Sequence, residues 1–181
     1  GYKSEQIENW VKNNEFKNIN QTIIKEEIKL GTAGSIFNLI NLCKKNLIVL
    51  NGDSFLANGV KSLIKSINLN ISSALVSHYN QNTSGFGAII FNKRNQLTSF
   101  NEKKMKGPGF INSGIYFFSK EVIVKYKKSG YMSLEYELIP NMIKNNEEIQ
   151  VITVNKPSFI DIGTEKSIRE STKITKKIFI K

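Results

Sequence analysis

Cysteine and histidine are almost missing from this chain: its 181 residues hold one of each, Cys43 and His78. A single cysteine excludes an internal disulfide framework and any zinc site built from clustered cysteines. A single histidine argues against a histidine metal cage, and a Cys–His nucleophilic pair would need the two singletons to meet. Cys43 falls on an apolar helical face and is expected in the core. His78 ends a strand pattern and is expected to be a structural or rim residue. No apolar run reaches the length of a membrane-spanning helix, and no leader pattern stands at the first residues. The expectation is a cytoplasmic chain with no membrane partner. Acidic residues are scarce beside basic ones, 15 against 26, for a net charge of +11. That surplus suits polyanionic ligands. The lysines, however, are scattered as pairs such as Lys44-Lys45, Lys103-Lys104, Lys127-Lys128 and Lys176-Lys177. With no basic stripe and no aromatic-interleaved basic motif, the pattern argues against nucleic acid and is compatible with phosphorylated small molecules.

What is present is a globular composition, 40% hydrophobic with 11 Phe and 6 Tyr, in a chain long enough for one domain with a core of its own. The stretch Asn46 to Phe55 organises it. Leu47 to Leu50 is a short apolar run that reads as a buried strand, parallel and covered on both faces. Asn51, Gly52 and Asp53 follow at once, so the strand delivers one carboxylate to its C-terminal end, the edge at which open α/β sheets bind ligands. Upstream, the pattern predicts a helix from Ser4 to Asn13, capped by Ser4, with Ile7, Trp10 and Val11 on one face. A strand is predicted over Ile19–Lys25. The Leu30-Gly31-Thr32-Ala33-Gly34 stretch reads as a loop running into a helix, Ser35–Lys44. Such a loop presents free N–H groups to an anion or to polar ligand edges. Downstream come a helix over Asn58–Asn68 and a strand over Ser73–His78. Alternating helices and strands predict a doubly wound, mostly parallel α/β sheet.

The middle of the chain changes character. Phe86–Asn92, Gln96–Asn101 and Phe110–Ser119 are three strand patterns with no helix between them, and Asn92-Lys93-Arg94-Asn95 is a hairpin-type turn. This predicts an antiparallel insertion beside the parallel sheet, with Lys106-Gly107-Pro108-Gly109 as a loop able to cover a ligand. A helix over Lys120–Lys128 follows. A second, capped by Ser133, runs to Ile143 and is kinked or shortened by Pro140. The strand Gln150–Val154, the run Phe159-Ile160-Asp161-Ile162-Gly163-Thr164 and a helix from Glu165 to about Lys177 complete the chain.

Two aspartates, Asp53 and Asp161, thus follow strand-like runs far apart in sequence. A doubly wound sheet can bring both to one edge. Two carboxylates with open positions fit Mg²⁺, which keeps waters and takes phosphate oxygens as further ligands.

Taken in order, Glu27…Leu30-Gly31-Thr32-Ala33-Gly34, Val49-Leu50-Asn51-Gly52-Asp53, Phe86-Gly87, Phe100-Asn101-Glu102-Lys103, Ile111-Asn112-Ser113-Gly114-Ile115-Tyr116, Ser133-Leu134-Glu135 and Phe159-Ile160-Asp161-Ile162-Gly163-Thr164 resemble the sugar-1-phosphate nucleotidylyltransferases. Among these the guanylyltransferases of heptose and mannose 1-phosphate look most alike. The resemblance covers essentially the whole chain. It implies the Rossmann-like nucleotide-diphospho-sugar transferase fold with an antiparallel sugar-side insertion. It also implies an enzyme taking a nucleoside triphosphate, GTP favoured, and a sugar 1-phosphate, in the cytoplasmic synthesis of cell-surface polysaccharide precursors. By resemblance, Leu30, Gly31, Thr32, Ala33 and Gly34 hold the nucleotide, and Asp53 and Asp161 are the Mg²⁺ ligands. Gly87, Glu102, Asn112, Gly114 and Glu135 line the sugar, with Lys103 near its phosphate. The family opens with a strand and a glycine-rich loop carrying an arginine, followed by a lysine, and nothing in residues 1–181 matches that opening. The expectation is therefore one domain spanning residues 1–181 that lacks an N-terminal βαβ portion and is an incomplete enzyme. A homo-oligomer or a separate N-terminal partner is left open. The alternatives are a non-catalytic sugar-nucleotide-binding relative and a metal-dependent glycosyltransferase, although the latter's Asp-x-Asp is absent at Asp53-Ser54-Phe55.

Overall fold

The computed structural model describes residues 2–14, 19–67, 71–102, 105–155, 158–165 and 167–172. In chain order it holds helix α1 (Ser4–Asn13), helix α2 (Gly31–Leu39) continued by a 3₁₀ turn (Ile40–Leu42), strands β1 (Asn46–Leu50) and β2 (Ser54–Leu56), and helix α3 (Gly59–Ser66). There follow strands β3 (Ser73–Asn80), β4 (Gly87–Phe91), β5 (Leu97–Glu102) and β6 (Gly109–Ser119), then helix α4 (Lys120–Tyr126). A π-helical turn (Leu134–Leu138) runs into α5 (Ile139–Lys144), and strands β7 (Gln150–Thr153) and β8 (Phe159–Asp161) come last. Residues 167–172 are helical, within the range predicted for the final helix, the rest of which lies outside the described residues from residue 173 onward.

The sheet is organised around β6, an apolar strand of 11 residues. One edge of β6 pairs with β3 along its length; the other pairs first with β4 and then with β1. With β5 outside β4 and β7 outside β3, the sheet has six strands among the described residues. The α/β, Rossmann-like class stands. The mostly parallel sheet does not: β3 with β7 is the parallel pair, and the other named pairs are antiparallel. The three-strand stretch predicted as a lateral insertion is instead part of the main sheet. The hairpin turn between β4 and β5 is as predicted, with Asn92 Oδ1 accepting from the N–H groups of Arg94 and Gln96 and Asn95 at φ 58°.

Period-two alternation divides the core. Leu75, Tyr116, Phe118 and Val151 face α2, α4 and α5, where they meet Ile36, Phe37, Ile123, Leu138 and Met142. Ala74, Val76, Ile115, Phe117 and Ile152 face the other way, toward Leu63 of α3 and Leu56 of β2. β1 corrects the expectation of a strand buried on both faces. It pairs only with β6 among the described residues, and while Leu47 and Val49 pack on the larger cluster, Ile48 and Leu50 are 41% and 56% exposed.

Four further expectations change. Residues 19–25 form no strand, because no described strand lies beside them to complete a ladder. Ser4 is the first residue of α1 and not its cap; Lys3 holds the N-cap position at φ 54° without a side-chain capping bond, and the helix buries none of its residues. The Gly31–Gly34 stretch is the first turn of α2 and not a preceding loop. Two of its amides are taken: Ala33 and Gly34 N–H both donate to Met132 C=O, at 3.0 and 3.2 Å. Gly31, at φ +72°, lies so close to the Met132 carbonyl that a Cβ would stand 2.5 Å from its oxygen. Cys43 departs from its expected place on a helical face in the core: it sits just beyond the 3₁₀ turn in extended backbone and is only partly buried against the larger cluster.

Candidate active site

Two segments a hundred residues apart meet in a small ribbon. β2 runs antiparallel to β8 with Ser54 opposite Asp161, and Ile162 N–H donates to the Asp53 carbonyl at 2.8 Å. Asp53, the residue before β2, and Asp161, the last of β8, therefore stand at the same end of the ribbon. Gly163 N–H donates to Asp161 Oδ1 at 3.0 Å, a turn in which the aspartate side chain takes the place of a backbone acceptor. This end of the ribbon carries the charge, with Asp53 exposed and Asp161 partly exposed.

The opposite wall is built on the sheet. From Leu75↔Tyr116 to Ser77↔Asn112 the β3–β6 register takes two steps on β3 and four on β6. The excess forms a bulge over Ser113–Ile115, a device that re-aims side chains next to sites. Gly114 occupies it at φ +71°, and a Cβ there would lie 2.6 Å from Ser54 Oγ and 2.9 Å from Asn51 Cβ. Its carbonyl accepts from Asn51 N–H at 2.8 Å. Only glycine both adopts this backbone and lets the bulge press on the turn that carries Asp53.

Beside the bulge the polar groups are stitched together. Asn112 Nδ2 donates to Tyr116 Oη at 2.6 Å, and Asn112 Oδ1 accepts from Gly114 N–H at 3.2 Å. Tyr116 Oη donates to Glu135 Oε1 at 3.2 Å. Glu135 Oε2 accepts from Thr32 Oγ1 at 3.0 Å and from Ser133 Oγ at 3.4 Å. Ser133 caps the π-helical turn as predicted, its Oγ accepting from Tyr136 N–H at 3.1 Å. On the hairpin β4–β5, Gly87 lies opposite Glu102, and a Cβ at Gly87 would stand 2.5 Å from Glu102 Oε2. The glycine provides the room that carboxylate occupies.

Between the walls is a cavity of about 320 Å³, lined by Asn51, Asp53, Ser54, Gly85, Phe86, Gly87, Glu102, Asn112, Gly114, Glu135, Phe159, Asp161, Gly163 and Thr164. A larger groove, about 560 Å³, lies between α1 and residues 19–23, but its lining brings one acid and one lysine together with no paired carboxylates. Four carboxylates, Asp53, Glu102, Glu135 and Asp161, line the smaller cavity in a chain of net charge +11. Such a site suits a cation on one side and hydroxyl groups on the other.

His78 joins the two walls. It is 3% exposed, its Nδ1 is 2.9 Å from Ser113 Oγ, and its ring centroid is 4.5 Å from that of Phe159 in β8. Burial pulls its pKa from 6.5 down to about 4, so it is neutral at physiological pH. This is the structural role expected of it.

Seven of the sequence-predicted residues, Asp53, Gly87, Glu102, Asn112, Gly114, Glu135 and Asp161, thus line one cavity. Lys103 lies outside the described residues. Leu30 to Gly34 do not line the cavity; Leu30 and Gly34 line a separate groove with Lys127 and Lys128. Thr32 reaches the site indirectly, through its bond to Glu135. Sequence reasoning missed Ser54, Thr164 and Tyr116. Tyr116 stands inside Ile115-Tyr116-Phe117-Phe118, a run that reads as core, and only its phenolic oxygen marks it apart.

The pattern of one protein family, described as nucleotidyl transferase, matches residues 1–177. The chain belongs to the nucleotidyl transferase family. This nucleotidyltransferase is 30% identical over 163 residues to the D-glycero-alpha-D-manno-heptose 1-phosphate guanylyltransferase of Campylobacter jejuni, covering 90% of the present chain and 70% of that enzyme. Its fold matches the crystal structure of HddC from Yersinia pseudotuberculosis with a TM-score of 0.82 and 26% identity, over 95% of this chain and 74% of that one. The HddC structure complexed with GMP-PN matches with a TM-score of 0.81 and 27% identity, with the same coverage. The nucleotidyltransferase therefore stands among the sugar-1-phosphate nucleotidylyltransferases, whose resemblance its motifs carry. Among the described residues no helix is long and apolar enough to cross a membrane.

Proposed function

We propose that the chain carries the metal side and the sugar side of a reaction in which a nucleotidyl group passes from a nucleoside triphosphate, GTP favoured, to a sugar 1-phosphate such as heptose or mannose 1-phosphate; a non-catalytic sugar-nucleotide-binding relative is the second reading. The products are a nucleotide-sugar and pyrophosphate, and the role is supply of precursors for cell-surface polysaccharide. The observation that carries this reading is the placement of Asp53 and Asp161 at one end of a ribbon, facing a wall of Asn112, Glu102 and Glu135 across a single cavity. A guanylyltransferase relative and a neighbour crystallised with GMP-PN support the base.

The donor set fits Mg²⁺. Asp53 and Asp161 offer hard carboxylate oxygens from the same end of the β2–β8 ribbon. Two carboxylates leave coordination positions for water and phosphate, which is how Mg²⁺ is held in phosphoryl-transfer sites. Bound there, Mg²⁺ would supply the charge neutralisation that two phosphorylated substrates require. The chain's own residues do the positioning. Asn112 presents amide donor and acceptor to sugar hydroxyls, while Glu102 and Glu135 accept from them. Gly87 and Gly114 hold the walls at the spacing the sugar needs. Lys103 follows Glu102 directly and is assigned to the sugar phosphate. Leu30, Gly31, Thr32, Ala33 and Gly34 are assigned to the nucleobase side, which Thr32 ties to Glu135. The sugar phosphate oxygen attacks the nucleotide α-phosphorus in line and pyrophosphate leaves, with alignment rather than covalent participation from the protein.

Calorimetric titration with GTP, ATP, CTP and UTP in the presence and absence of Mg²⁺, followed by pyrophosphate release with mannose and heptose 1-phosphate, tests the reading. GTP should bind best, and only with Mg²⁺ at full affinity. Equal binding of all four nucleotides would remove the base preference. Absence of both nucleotide and sugar-phosphate binding would remove the site.

A further inference from the structure

Tyr116 is fully buried, yet its phenolic oxygen is spent on two of the cavity's polar side chains. The directions of these bonds are fixed by their neighbours. Glu135 as a carboxylate only accepts. Ser133 Oγ accepts from Tyr136 N–H, and Thr32 Oγ1 accepts from Leu134 N–H at 2.7 Å, so both hydroxyls turn their hydrogens toward Glu135 Oε2. The Tyr116 hydroxyl turns its hydrogen toward Glu135 Oε1, which leaves its lone pair for Asn112 Nδ2. Burial and the adjacent Glu135 carboxylate push the phenol well above its ordinary pKa, so the hydroxyl keeps its hydrogen at neutral pH. The amide of Asn112 is then polarised in one sense. Its nitrogen is held by Tyr116 and its oxygen by Gly114 N–H, and the second N–H hydrogen and second oxygen lone pair are the groups left to face the cavity. A flip of the amide would set its oxygen against the phenolic oxygen, whose hydrogen is committed elsewhere.

We infer that Tyr116 is a positioning residue for the sugar side of the site: its hydroxyl locks the Asn112 amide in one orientation and anchors the Glu135 carboxylate, so that the donor–acceptor pattern offered to the sugar hydroxyls is set before substrate arrives. The inference rests on the reading that Asn112 and Glu135 face a sugar. It adds a residue that never touches substrate and that specifies which hydroxyl arrangement the wall accepts. Fixing a bidentate amide in advance removes an ordering cost from binding, and leaving the partners of the buried Tyr116 hydroxyl unmatched is costly.

The test is Tyr116→Phe, which keeps the ring and its stacking near Phe118 (centroids 6.2 Å apart) and removes one oxygen. Two readouts are taken on the whole chain. The first needs no ligand: the Asn112 side-chain amide signals in a ¹⁵N NMR spectrum, assigned with Asn112→Asp. One sharp pair protected from exchange is expected in the parent protein, and loss of that protection in Tyr116→Phe. The second is calorimetry with mannose 1-phosphate and with GTP, in the presence of Mg²⁺. Affinity for mannose 1-phosphate should fall about tenfold or more, with GTP changed less than about twofold, and Tyr116→Phe combined with Asn112→Ala should bind the sugar phosphate no worse than Asn112→Ala alone. Unchanged Asn112 signals, or losses that add in the double variant, would overturn the positioning role. Altered Asn112 signals in a protein whose parent form binds no sugar phosphate would instead overturn the sugar-site reading on which the role depends, leaving only a structural hydrogen-bond relay.

Discussion

The two walls of the cavity are made on opposite plans. The ribbon wall of β2 and β8 is short and held by a few backbone bonds; it turns Leu56 and Ile160 inward and carries the two aspartates at one end, Asp53 exposed and Asp161 partly so. The sheet wall is rooted in β6, and its Asn112, Tyr116 and Glu135 are fastened to one another and to Thr32 and Ser133. On the proposed reading, the difference follows from what each wall binds. A cation needs charge and open coordination positions, both of which survive exposure. A neutral polyol is recognised by the direction of hydrogen bonds, and direction is kept only where side chains are locked. Two joints hold the walls in register: the Gly114 bulge against Asn51 and Ser54, and His78 between Ser113 and Phe159.

The largest effect should come from the ribbon wall. Asp161→Asn and Asp53→Asn each keep shape and remove charge. Pyrophosphate release should fall by about a thousandfold in either variant, the scale of a lost metal-centred charge stabilisation, while the thermal midpoint stays within a degree or two. A large drop in stability with little change in Mg²⁺ dependence would mean that the ribbon's acids are structural, and the contrast between the walls would collapse.

Next is the first joint. Gly114→Ala places a Cβ 2.6 Å from Ser54 Oγ at a φ of +71°, combining backbone strain with overpacking. The expected cost is about 3 kcal/mol, a fall in melting temperature of roughly 6–12 °C for a chain of this size. Scanning calorimetry checks it. Because the bulge touches both walls, the same variant should weaken both Mg²⁺-dependent nucleotide binding and sugar-phosphate binding, unlike any change confined to one wall.

Much of this arrangement was legible in the sequence, and the exceptions have physical reasons. Asp53 and Asp161 stood out because a lone carboxylate after an apolar run marks a strand end, and the ribbon does bring them together. The ribbon itself was not visible: three residues, Ser54–Leu56, are too few for a periodicity. Strand direction was also hidden. Apolar runs such as Leu47–Leu50 and Ser73–His78 show burial but not polarity, and the crossover implied by alternating helices was assumed where the chain instead places β1 antiparallel to β6. Glycines in Gly31-Thr32-Ala33-Gly34 suggested open amides, but the partner that takes two of them, the Met132 carbonyl, comes a hundred residues later. Tyr116 was hidden by its own neighbours.

The second joint predicts a pH dependence of stability. His78 has a folded pKa near 4 against 6.5 when exposed, so the unfolded chain takes up the proton first as pH falls. Stability is intact above about pH 6.5 and is lost progressively down to about pH 4. At pH 5 the loss is about 2 kcal/mol. Urea unfolding at pH 7 and pH 5 measures it, and His78→Gln should abolish most of the difference over that interval. An equal pH dependence in both proteins would show that the joint does not carry the acid sensitivity.

The smallest effect belongs to the sheet wall's periphery. Ser133→Ala removes the cap on the π-helical turn, where Ser133 Oγ accepts from Tyr136 N–H, and the longest of the three hydroxyl contacts to Glu135, at 3.4 Å. Loss of a cap costs about 1 kcal/mol, a fall of roughly 2–4 °C in melting temperature. Glu135 keeps Thr32 and Tyr116 as donors at 3.0 and 3.2 Å, so sugar-phosphate affinity should fall no more than about threefold. The interest of this variant lies in that inequality. If Ser133→Ala harmed sugar binding as much as Tyr116→Phe, orientation on the sheet wall would be a property of the Glu135 carboxylate alone. If it harmed stability but spared binding, the Tyr116–Asn112 pair would be where direction is set, and the locked wall would owe its selectivity to an oxygen that the sugar never meets.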